Sequence, residues 1–145
     1  MDENIELLTY LYQDADMALD SLTLLINKIN KKDNKIKKIV EGIIKGYENY
    51  LKDVKKYMND NNYEIKEKPL ISKVGAYFGI NMEVMKDNSD SRIADMLIQG
   101  LTMGVLNVTK KIDTYKKDAN KEILKLANEF KVFQQEAINM LKKYL

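Results

Sequence analysis

The sequence predicts an all-α protein: a four-helix bundle of two antiparallel hairpins, joined by one long crossover that carries a short extra helix. Three observations predict it. Four long segments repeat apolar side chains at helical spacing. The first and second, and the third and fourth, are separated only by short polar turns, "NKKDNK" and "YKKDANK", which fold neighbouring helices back on each other. Between the second and third lie about 30 residues, 59–88, too many for a turn and enough to run back along a bundle.

The first helix spans about residues 4–30, with Leu8, Leu11, Ala15, Ala18, Leu22 and Ile26 on one stripe. The second, about 34–59, follows Asp33 as candidate N-cap and carries Ile36, Val40, Ile43, Tyr47, Leu51 and Val54. The crossover opens polar ("NDNNYEIKEK"); Pro69 then suits the first turn of a short helix over 69–79, and Gly79 suits its end. The capping cluster "NSDS" precedes the third helix, about 90–116, with Ile93, Leu97, Leu101, Val105, Val108, Ile112 and Tyr115. Asp118 is the candidate N-cap of the fourth, about 119–144, with Ile123, Ala127, Phe130, Gln134, Ala137, Leu141 and Tyr144. The 145 residues make one domain, 1–145, long enough to bury a core.

Six glycines fall in three pairs four residues apart: Gly42/Gly46, Gly75/Gly79 and Gly100/Gly104. Glycine inside a helix is unfavourable by about 1 kcal/mol relative to alanine. Gly42, Gly46, Gly100 and Gly104 lie on the flanks of the apolar faces, near mid-bundle. They are expected to be close-packing points that let a neighbouring backbone approach.

Composition narrows the chemistry. Without Cys there is no disulfide, zinc–thiolate site or cysteine nucleophile, and without His the commonest general base and metal ligand are missing. Lys outnumbers Arg 23 to 1, a skew that reads as codon bias of an AT-rich, bacterial genome. The formal net charge of +2 gives no argument for nucleic acid, and none is expected as a partner. No apolar run approaches the roughly 20 residues that span a bilayer. The acidic start "MDENIELL" has no signal-peptide pattern, so the expected compartment is the cytoplasm. No glycine loop cradles a phosphate, and the four serines have no base beside them in sequence. The chain reads as a non-enzyme with no cofactor.

Two hairpins with a crossover carrying "PLISKVGAYFG" resemble the ferritin-like superfamily, and in particular its small bacterial domains of unknown function from Firmicutes. The resemblance implies the bundle topology. Its metal-binding members use inward carboxylates with two Glu-x-x-His motifs, and neither motif exists here. At about 100° per residue, Asp14, Asp16 and Asp20 lie at or beyond the edge of the first apolar face, Glu41 and Glu48 point well away from the second, and Glu129 and Glu136 sit off the centre of the fourth. The iron chemistry is therefore not carried over, and no metal site is expected.

Gln134 is the strongly polar residue at the centre of an apolar stripe. It is either a ligand contact in a mid-bundle pocket or a buried amide hydrogen-bonded to Tyr12, Tyr47 or Asn107, and the sequence favours the second. Met96 and Met103 form a side stripe that covers the crossover or meets a partner. Lysines of the first turn share a bundle end with Lys142 and Lys143, an ordinary solvated surface. The expected role is non-catalytic, a structural or protein-interaction component that binds a protein partner or itself. The alternative is a small-molecule-binding bundle with a pocket near Gln134 and Tyr47.

Overall fold

Helix starts here are set by short polar side chains that reach unpaired backbone N–H groups. Ser89 Oγ accepts from Arg92 N at 3.2 Å and opens one helix, while Asn120 Oδ1 accepts from Glu122 N and Ile123 N at 3.0 and 3.2 Å and opens another. The computed structural model describes residues 2–29, 33–64 and 89–145. It is all-helical there: α1 (Glu3–Ile29), α2 (Lys37–Asp60), α3 (Asp90–Tyr115) and α4 (Lys121–Leu141), closed by a 3-10 turn at Lys142–Tyr144. The helix expected at 69–79, with Pro69, Gly75 and Gly79, lies outside the described residues.

Two expected caps are corrected. Asp118 is exposed in the turn, and Asn120, two residues on, caps α4. Asp33 does not cap α2 either. That helix starts at Lys37, and its N-cap residue, Ile36, supplies no side-chain cap. The acceptor comes from α3. The Asp90 carboxylate takes hydrogen bonds from Asn34 Nδ2 (2.9 Å) and Lys35 N (3.2 Å), placing negative charge at the positive end of α2. Asp90→Ala is expected to lower stability by about 1–2 kcal/mol in urea unfolding. Asp90→Asn, which keeps an acceptor oxygen, should lose less. Equal losses would mean that the negative charge, and not an acceptor oxygen alone, carries the effect.

The C-terminus of α2 uses a Schellman arrangement. Asn62 takes a left-handed conformation (φ 59°), and Tyr63 N donates to Met58 O at 2.8 Å. Tyr63 then stacks on Tyr57, with ring centroids 6.2 Å apart.

These end contacts define the helix directions. At one end Asn120 N donates to Asn4 Oδ1 (2.7 Å) and Asn120 Nδ2 to Tyr57 Oη (3.0 Å), so the starts of α1 and α4 meet the end of α2. Tyr115 Oη at the end of α3 donates to Glu6 in the first turn of α1. At the other end Asp90 joins the start of α3 to the start of α2. α1 and α4 thus run one way, and α2 and α3 the other. The chain leaves α2 at one end and enters α3 at the opposite one.

The apolar stripes face inward as their periodicity requires. Leu11, Ala15, Ala18, Ile43, Tyr47, Leu101, Phe130 and Gln134 are all buried. Each fully buried Leu, Ile or Phe contributes roughly 1.5–3 kcal/mol relative to exposure. Tyr47 and Gln134 are counted nearly alike from the starts of α2 and α4, and in antiparallel neighbours such positions meet at mid-length.

Candidate functional site

That mid-bundle layer is the most polar part of the described core. Four aromatic rings of α2 and α4 form it: Tyr47 meets Phe133 edge-on at 4.8 Å and Phe130 at 6.2 Å, and Phe130 stacks on Tyr50 at 4.9 Å. The Tyr50 hydroxyl is satisfied, donating to Leu126 O at 2.8 Å. The Tyr47 hydroxyl is not. Nor are Gln134 Nε2 and Oε1, although Gln134 is fully buried. The Gln134 amide lies close enough to Tyr47 to ease ionisation of its phenol. By distance and angle, however, neither group completes a hydrogen bond with any described residue. The bonded amide expected from the sequence is corrected to this unbonded one.

The flank of α1 adds further polar atoms to the interior. Thr9 Oγ1, Tyr10 Oη and Ser21 Oγ are buried without a hydrogen-bond partner among the described residues. Burial, and secondarily the negative charge of Asp14, push the Tyr10 and Tyr47 phenols well above the ordinary tyrosine range. Tyr50 is raised by burial first, then by Glu129 and Asp14. Lys111 of α3 stands over the Tyr10 ring at 5.4 Å and the Tyr115 ring at 6.0 Å. Asp14 thus acts on three interior phenols, though its position in the sequence pattern assigns it to the edge. The available signal was the recurrence of Tyr10, Asp14 and Ser21 along one flank of α1.

Two members of the expected polar cluster lie elsewhere. Asn107 is exposed, because it falls about 120° from Leu101 around α3 and so turns out of the seam. Tyr12 is half-buried against α2, with the Lys55 ammonium 5.7 Å over its ring, and makes no hydrogen bond to Gln134.

The glycines divide as sharply. A Cβ on Gly104 would fall against Gln134 Nε2 and 3.1 Å from Cδ, and one on Gly46 would fall against the Phe133 ring, 2.8 Å from Cζ. Both are close-packing points, but side chains of α4 fill the space, where a neighbouring backbone was expected. Gly100 is half-buried in α3. Gly42 is no packing point at all: it is exposed, with nothing within 4 Å of its missing Cβ. Gly104→Ala is expected to destabilise by about 1–3 kcal/mol, since the methyl must displace a buried amide. In a Gln134→Ala background the same change should cost much less, giving a positive coupling in a double-mutant cycle. Additive effects would show that Gln134 does not occupy the niche.

Chemically, the layer offers a phenol, a primary amide and nearby hydroxyls. Among the described residues no group of three or more Asp, Glu, His or Cys side chains could hold a metal ion, and no helix is long and apolar enough to cross a membrane. Compared with protein-family models, curated proteins and solved structures, the chain matches none.

Proposed function

We propose that this chain is a metal-free bundle of ferritin-like arrangement that acts without catalysis, by contact with another protein or with a second copy of itself. One observation carries the reading: the middle of the bundle is filled by its own side chains. The Gln134 amide occupies the niche at Gly104, and the Phe133 ring the niche at Gly46. A partner is therefore met at the outer surface, on the exposed sides of the helices. The helix order, with α2 and α3 parallel and linked from one end to the other, supports the ferritin-like arrangement. Light scattering on the purified protein, with crosslinking in the source cells, tests the role. A mass of one chain at every concentration together with no crosslinked neighbour would overturn it. Protein purified without added metal is expected to carry none, and near-stoichiometric metal by elemental analysis would overturn the metal-free part.

A second reading, binding of a small polar molecule near Tyr47 and Gln134, is favoured by their unpaired buried polar atoms. Native mass spectrometry decides it: a bound molecule would be retained by the wild type and lost on Gln134→Leu.

A further inference from the structure

Gly42 sits inside α2 with open space where a side chain would begin. On the other flank of α2, between it and α1, runs a groove of about 530 Å³, lined by Ile26 and Ile44 and by Lys37, Glu41, Lys45 and Glu48. The two isoleucines are half-buried, and Glu41, Lys45 and Glu48 are exposed. Along the outer side of the helix, opposite buried Ile43, the exposed residues Lys38, Glu41, Lys45 and Glu48 alternate in charge.

We propose that this outer face of α2 docks a second copy of the chain, α2 against α2 and antiparallel, about a two-fold axis that crosses the helix at the height of Ile43. The proposal rests on the protein-contact reading above and deepens it, by naming the partner and the surface. A two-fold contact is self-complementary, each residue meeting one whose number completes a fixed sum. With the axis at the height of Ile43, Glu41 meets Lys45 of the second copy and Lys38 meets Glu48. Both charged pairs are of opposite sign, and each occurs twice.

Registers centred on the neighbouring residues of this face lose the match. An axis at Glu41 places that glutamate on itself and Lys37 on Lys45. An axis at Lys45 places that lysine on itself and Lys38 on Lys52; Lys37 on Asp53 at the edge is its one attractive pair. The register at Ile43 avoids every like-charge pair among these residues.

Sedimentation equilibrium across protein and salt concentration reads the association directly. The wild type should form a dimer that weakens as salt screens the charged face. Lys45→Glu should raise its dissociation constant by roughly tenfold or more, and adding Glu41→Lys to that variant should restore the dimer by exchanging the signs. Because the chain has no cysteine, a variant carrying both Glu41→Cys and Lys45→Cys should oxidise to a crosslinked dimer. One carrying Thr102→Cys and Leu106→Cys, on the exposed side of α3, should not. A dimer indifferent to changes at Glu41 and Lys45 overturns this face but upholds self-association. A monomer at all concentrations overturns the proposal, and the crosslinking in cells then reports separately on a different protein partner.

Discussion

Phe130→Ala is expected to lower the unfolding free energy by about 3–5 kcal/mol, the range for removing a buried phenylalanine without collapse of the space it leaves. Phe130 is fully buried. Its ring lies 4.9 Å from that of Tyr50 at 23° and 6.2 Å from that of Tyr47 at 66°, so one truncation removes a stacked and an edge-on partner together. Collapse is opposed by the neighbours themselves, since the Tyr50 hydroxyl is tied to the α4 backbone at Leu126. Phe133, half-buried over Gly46, should lose less on the same change. Urea unfolding of both variants gives the comparison, and a greater loss at Phe133 would contradict the placement of the aromatic layer.

Alkaline unfolding is expected to be steep. In the unfolded chain a tyrosine ionises near pH 10. In the fold, burial raises the phenols of Tyr10, Tyr47 and Tyr50 above that value. The unfolded state then binds fewer protons than the native state above about pH 10, so stability falls as pH rises. The contribution is fully present below that pH and is lost progressively until the native phenols ionise. For a phenol as buried as Tyr47 the slope is roughly 1.4 kcal/mol per pH unit. Tyr47→Phe should flatten the fall between about pH 10 and 12, and tyrosinate absorbance should report slow, unfolding-coupled ionisation of part of the tyrosines. A wild-type profile unchanged by Tyr47→Phe would show that this phenol ionises as readily in the fold as outside it.

The four helices and their pairing into hairpins were legible in the sequence because both are short-range properties. A stripe at 3.6-residue spacing belongs to its helix whatever packs on it, and a polar turn of six or seven residues leaves no room for anything but a return. The inward positions Leu11, Ile43, Leu101 and Phe130 follow from the same count. Helix boundaries were legible to within a few residues; α4 starts at its local cap, Asn120, whereas the acceptor before α2 is not local. Asp90, more than fifty residues away in the chain, holds the Asn34 amide and the Lys35 N–H just before α2 begins.

At the candidate site the sequence alone determined that a polar residue, Gln134, and a phenol, Tyr47, stand central on their apolar faces. It also determined that glycines interrupt the flanks. What faces each of them was decided only by tertiary structure. Gly104 is covered by Gln134 and Gly46 by Phe133, Gly42 is left open, Asn107 turns to solvent, and Asp14 acts on the phenols of Tyr10, Tyr47 and Tyr50. The physical reason is that a flank residue's surroundings depend on the rotation and axial register of a second helix. Those are set by the whole buried interface, and no pattern within one helix contains them.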